Sequence, residues 1–347
     1  MQSATDTASN TIVIPEAPAI LGLSFRNFRG KDDYPKMLAL INACKTADND
    51  ERFETLEDMA RNYSHLTNCD PYRDLITGEV DGETVVYSRV TWWIDEATGD
   101  YIYQSFGYLD PKWRRKGIGQ SVLLHNQRRL REIAAEHPKG APKFFESFAT
   151  NFQEGSLAML EKDGYQPVRH FFSMVRPDLE SIPDLPLPDG IEVRPANPEH
   201  YRQIWEAFQE AFRDHWGYSE PQEEDYQNWI ESSEFQPDLW QIAWDGDFAN
   251  GAGAVAGMIL NFINHGENQE YGRKRGYTEG IAVRRPWRRR GLARTLLARS
   301  LKMHRELGMS EAALGVDSGS LSGANLLYES MGFKPVKTIT LLHKAMV

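Results

Sequence analysis

Cysteine is almost missing from this chain. Its 347 residues include two, Cys44 and Cys69. Two thiols fit a reducing compartment, and their spacing suits no common metal site, so no metal is expected. Long apolar runs are also lacking. None approaches the ~20 residues that a membrane helix needs. The first twenty residues lack the basic start and long apolar core of a signal peptide, which points to a cytoplasmic protein without a membrane partner. Net positive charge is missing as well: the balance at pH 7 is −11. That excludes a general nucleic-acid binder and makes any basic cluster local.

What is present suits a soluble globular protein, with 41% hydrophobic and 26% charged residues. The length suggests two domains. Residues 1–20, rich in Ser, Thr, Ala and Pro, read as a flexible N-terminal tail. Residues 83–94 and 100–109 are rich in β-branched and aromatic residues and flank a turn at 96–99, which predicts a hairpin. It leads into KWRRKGIG at 112–119 and a helical pattern. Residues 144–149, 155–162 and 164–176 read as strand, helix and strand. Residues 178–190 carry three prolines and four acidic residues without apolar periodicity, and read as an interdomain linker. The order then recurs: a strand at 191–194, helices at 199–212 and 220–231, and strands at 238–244, 254–264 and 273–283. RRPWRRRGLA at 284–293 follows and opens a helix. A strand at 311–316, a helix at 323–330 and a strand at 333–344 close the chain.

The recurrence is a duplication. Trp113 and Trp287 stand 174 residues apart, as do Arg114 and Arg288, and Gly117 and Gly291. Gly155, Glu161, Gly164 and Pro167 precede Gly323, Glu329, Gly332 and Pro335 by 168. Repetition at this length is domain duplication rather than a solenoid, whose periods are shorter. In each copy a strand, a basic turn with glycine and a helix start form a seat for phosphate, because the first N–H groups of a helix lack internal partners and its dipole favours an anion.

Arg288-x-x-Gly291-x-Ala293 and Arg114-x-x-Gly117-x-Gly119, each followed by a Gly-aromatic element, resemble the GNAT superfamily of acyl-CoA-dependent N-acyltransferases. Leu326-Leu327-Tyr328 before Gly332-Phe333 is similar to its second signature. The resemblance covers about residues 21–347 as two tandem copies. It implies an α/β fold of two GNAT-like domains, at 21–177 and 191–347, each a mixed, mostly antiparallel sheet flanked by helices. It also implies acetyl-CoA as acyl donor. The donor's pyrophosphate would sit on Arg288, Arg289, Arg290, Gly291, Leu292 and Ala293, with Ile281, Ala282 and Val283 along the pantetheine arm. The first copy offers Leu109, Arg114, Arg115, Lys116, Gly117, Ile118 and Gly119. Val283 N–H would polarise the thioester carbonyl.

An acceptor amine must lose a proton before attack. Glu279 is the candidate base, and strand alternation is expected to put it on one face with Ile281 and Val283. Tyr328, at the family's Leu-Tyr position, is the candidate acid for the departing thiolate. The first copy has Ser105 and Leu160 at these places, so its chemistry is expected to be lost. The family often carries Asn seven or eight residues before the tyrosine; Ser320 and Leu321 stand there instead. His215, Trp216 and Tyr218 are candidate acceptor-lining groups. The expected activity is direct acetyl transfer to a primary amine of a small molecule by a monomer or homodimer. The alternative is a CoA-binding sensor without turnover.

Overall fold

The computed structural model describes residues 11–246, 253–319 and 323–346. The chain forms two compact units, one running to Val168 and resuming at Leu341, the other Arg169–Thr340.

The first unit contains β1 (Thr11–Ile12), β2 (Leu23–Asn27), α1 (Tyr34–Asp48), α2 (Leu56–Ser64), α3 (Pro71–Asp74), β3 (Leu75–Val80), β4 (Glu83–Asp95), β5 (Asp100–Leu109), α4 (Ile118–Ala135), β6 (Lys143–Thr150), α5 (Glu154–Lys162) and the start of β7 (Gln166–Arg176). Strands β1 to β5 pair antiparallel in chain order, and β5 pairs parallel with β6. Helix α1 buries Met37, Leu40, Ile41 and Cys44, a single helical face. A capping box of Thr55 and Asp58 starts α2.

The second unit contains β8 (Ile191–Arg194), α6 (Tyr201–Phe212), α7 (Glu223–Glu231), β9 (Gln241–Asp245), β10 (Ala254–Phe262), α8 (His265–Glu270), β11 (Arg275–Val283), α9 (Leu292–Glu306), β12 (Glu311–Asp317), α10 (Ala324–Ser330) and most of β13 (Lys334–Ala345). Its sheet runs β8-β9-β10-β11-β12-β7-β13. Only the pairing of β11 with β12 is parallel among the registers described. Helix α9 presses Leu292, Leu296, Leu297 and Leu301 into a core with Ile259, Leu314 and Phe333.

Each unit is completed by a strand from the other sequence repeat. Residues 171–176 of β7 pair with β12 inside the second unit, where Arg176 also donates to Met331 O at 2.6 Å. In the first unit Leu342 is fully buried beside Tyr103 and Phe145, and Lys344 Nζ lies 2.8 Å from Asp163. The compact units therefore divide at Val168 rather than at 178–190.

The proline-rich stretch expected to link domains lies within the second unit. It packs Ile182, Leu185 and Leu187 on the core that holds α9, and Thr295 Oγ1 donates to Pro186 O at 3.1 Å. Its twin is the end of the expected tail. IPEAP at 14–18 matches IPDLP at 182–186, again 168 residues apart. Ile14 is buried, and the Glu16–Arg128 ion pair matches Asp184–Lys302. Extended proline-rich chain shows no periodicity, yet it buries apolar side chains when it lies along a helix. Residues 1–10 of the expected tail lie outside the described residues.

Candidate active site

Strands β11 and β12 pair only from Arg275–Glu311 to Tyr277–Ala313. Beyond that they part, and β11 stays paired with β10 alone. Glu279 stands at the mouth of this gap. Gly315 N–H donates to its Oε1 at 2.8 Å, so a side chain takes a backbone donor that the splayed strand no longer satisfies.

The expected alternation fails one residue further on. Leu260 faces Glu279 and Met258 faces Ala282, so Gly280 and Ile281 together oppose Ile259. This is a β-bulge, and Gly280 takes its left-handed position at φ 57°. A Cβ there would also meet the Leu260 side chain at 2.9 Å. Glu279 thus shares a face with Ala282, while Ile281 packs with the α9 core on the other. Arg284 N–H bonds to Ala256 O at 3.0 Å. By ladder alternation, the N–H of Val283 points away from β10 into the gap.

Burial pushes the Glu279 carboxyl up to about 8. The Gly315 hydrogen bond opposes the shift, and the Glu234 charge adds to it. Tyr328, on α10, is buried. Desolvation and then the Glu279 charge hold its phenol well above its ordinary value. Among the described residues its hydroxyl has no hydrogen-bond partner.

Below the gap the chain turns through residues 284–291. Arg289 and Gly291 adopt left-handed conformations at φ 62° and 81°, and Arg115 and Gly117 match them at 63° and 90°. Such a turn points successive N–H groups inward. Those of Arg290, Gly291, Leu292 and Ala293 find no acceptor among the described residues. The arginines divide the work. Arg288 donates to Val283 O at 2.9 Å and to Ala211 O at 3.2 Å, and pairs with Asp214, so it braces the turn. Arg285 also pairs with Asp214, and Arg290 donates to Asp189 O. Arg289 is exposed.

The first copy keeps the turn and has Ser105 and Leu160 where the second has Glu279 and Tyr328. Arg114 braces it on Leu109 O and Asp48. Lys116 lies over the Trp113 ring, and Pro18 lies 3.5 Å from the place of a Gly117 Cβ. Ile118 is buried, and Gly119 lies against Met159. Strand β5 pairs with β4 without a bulge from Asp100 to Leu109, and Ser105 and Leu160 are buried.

Of the expected acceptor-side groups, His215 stacks on Phe212 at 4.2 Å, and burial lowers its imidazole. Trp216 receives the Arg169 guanidinium at 5.9 Å, and Arg169 holds Asp317 at 2.7 and 2.6 Å. Tyr218 closes a turn onto His215 O. Ser320 and Leu321 lie outside the described residues. Gly315 and Glu234 were missed in the sequence. A single backbone donor and an acid in a polar loop carry no local signal.

The model of the "Acetyltransferase (GNAT) family" matches residues 201–333. No curated protein matches the chain. Among solved structures, a GCN5-related N-acetyltransferase from Sphaerobacter thermophilus is 25% identical, with 93% of this chain and 95% of that one covered and a TM-score of 0.68. A tandem GNAT protein from the clavulanic acid biosynthesis pathway is 15% identical, with 93% and 98% covered and a TM-score of 0.64. The N-myristoyltransferase of Saccharomyces cerevisiae shares the fold at 12% identity, covering 96% and 80%, with a TM-score of 0.60.

Proposed function

This chain is a tandem member of the GNAT superfamily, and from that premise we propose that its C-terminal copy transfers an acetyl group from acetyl-CoA directly to a primary amine of a small molecule. The observation that carries the reading is the pair of Glu279 and Tyr328, two protonatable groups set by burial at the gap between β11 and β12. The pyrophosphate of acetyl-CoA rests on the free N–H groups of 290–293, with Arg289 beside it. The pantetheine arm runs along Ile281–Val283.

Glu279 takes a proton from the ammonium form of the acceptor, directly or through water. The free amine attacks the thioester carbon, and the Val283 N–H stabilises the oxyanion. On collapse the C–S bond breaks, the C–N bond remains, Tyr328 gives its proton to the thiolate, and the second proton shed by the new amide nitrogen restores the phenol. A base titrating near 8 suits neutral pH, because proton transfer is most efficient when the two pKa values lie near the working pH. A phenol kept neutral by burial is a ready donor.

The test incubates the full chain with acetyl-CoA and a panel of primary amines, detects free thiol and identifies products by mass. An acetylated amine whose yield collapses in Glu279→Gln supports the reading. Thiol release equal in wild type and variant, or none with any amine, overturns it. Repeating the assay with myristoyl-CoA separates acetyl from long-chain transfer.

A further inference from the structure

The first unit carries an arginine that two ring faces hold and no carboxylate pairs among the described residues. Arg89 on β4 stands opposite Leu75 on β3 and Phe106 on β5. Its guanidinium carbon lies 5.2 Å from the Tyr63 ring centre and 4.9 Å from that of Phe106. Tyr63 is fixed against Phe28 and Tyr34, and Phe106 stacks on Phe148. The Nε of Arg89 is buried and has no acceptor among the described residues. Three other arginines also bury a nitrogen without an acceptor, Arg61 and Arg273 at Nε and Arg128 at Nη2, but each holds a carboxylate, from Asp58, Glu267 and Glu16 respectively. Arg89 makes no ion pair among the described residues.

A guanidinium does not lose its charge, and a buried donor left unmade costs about 1–3 kcal/mol or more when charged. Ring faces offset part of this, about 0.5–2 kcal/mol. Glu54, the nearby carboxyl that feels Arg89, does not reach it, and burial raises its pKa. Among the described residues the Nε of Arg89 therefore lacks the acceptor that its chemistry calls for.

Its position in the repeat is informative. Asp110 N–H bonds to Val85 O just as Arg284 N–H bonds to Ala256 O. Four residues beyond these acceptors stand Arg89 in one unit and Leu260 in the other. Leu260 is the residue that faces Glu279. Where the second unit sets Leu260 opposite its carboxyl, the first sets a cation, on the face that packs α1 and α2.

We propose that Arg89, held between Tyr63 and Phe106, anchors a binding site in the first unit for a small monocarboxylate, bound without turnover. A planar carboxylate matches the guanidinium fork with two parallel hydrogen bonds. One cation with Glu54 beside it favours a single negative charge over a phosphate dianion. Ser105 and Leu160 leave the bound molecule unreacted.

The test titrates the full chain with acetate, pyruvate, benzoate and inorganic phosphate by calorimetry. We expect saturable binding of at least one carboxylate, weakened about tenfold or more in Arg89→Met through loss of the charged pair, and unchanged in Glu279→Gln. Should Arg89→Met fold poorly, Glu54→Gln serves: removing the competing acid should tighten the same carboxylate. No saturable carboxylate binding, equal binding by Arg89→Met, weaker binding by Glu54→Gln, or tighter binding of phosphate than of every carboxylate would each overturn the proposal. Acetyl transfer is not read in any arm, so this result stands apart from the activity of the second unit.

Discussion

The N–H of Gly315 donates to Glu279 Oε1 at 2.8 Å across the place where β11 and β12 part. It is the hydrogen bond that steadies the charged form of a carboxyl otherwise pushed up to about 8 by burial. On the proposed mechanism Glu279 therefore becomes competent as a base as pH rises through that value. We expect kcat to climb with a midpoint near 8. Glu279→Gln should lower kcat by about 100-fold, within the usual range for a general base, and abolish the climb. A pH–rate profile of both proteins measures this, and an unchanged climb in the variant removes Glu279 from the role.

Tyr328→Phe deletes one hydroxyl from a buried ring that packs edge-on near Phe333. Packing survives and the proton donor does not. We expect kcat to fall about tenfold or more, with little change in acetyl-CoA affinity by calorimetry. Wild-type turnover would leave Tyr328 as a packing residue.

The same Glu279 shift bears on stability. The unfolded carboxyl loses its proton near its ordinary value of 4.5, whereas the folded one keeps it to about 8. Across that window the folded state binds more protons, so stability falls as pH rises. Glutamine cannot ionise. Glu279→Gln should melt higher than wild type at pH 8 by on the order of 3 °C, and the difference should shrink towards pH 5. Melting curves at the two pH values decide it.

Gly291 sits at φ 81°, with open space where a Cβ would project. Gly291→Ala strains the backbone by about 1–2 kcal/mol and puts a methyl at the proposed phosphate seat. The expected outcome is a KM for acetyl-CoA raised about tenfold, with kcat less affected. Steady-state kinetics with acetyl-CoA varied will tell.

Leu342 is fully buried in the first unit although it comes from the last strand in sequence. Leu342→Ala should cost about 2–5 kcal/mol. Hydrogen exchange should report the loss around Lys143–Thr150 before it reaches β8 and β9. Uniform loss across the chain would contradict the local assignment.

The hairpin of β4 and β5, the two basic turns and the duplication were legible because each has a short-range signature: alternation, glycine at a fixed offset, and repeated words. Strand β3 was not read. Its LITGEV is short and broken by Gly78, which is there because Val86 and Phe25 approach within 2.9 Å of a Cβ position. The bulge at Gly280 was hidden for the reason that makes it effective: one inserted residue looks like ordinary strand. The paired IPEAP and IPDLP segments were in plain view, but proline content was read as spacing rather than as strapping. The candidate base and acid could be named from motif and chemistry. Their shifted proton affinities could not, because burial depends on the whole fold.

The exchanged strands have a consequence for synthesis. The first unit takes its last strand from residues beyond Leu341. It cannot close while the ribosome is still adding the second repeat, and its open sheet edge must wait through nearly half of translation. A message truncated between the repeats would yield an unfinished sheet rather than a smaller working protein. The two copies are bound to a single gene by folding, whatever their division of chemistry.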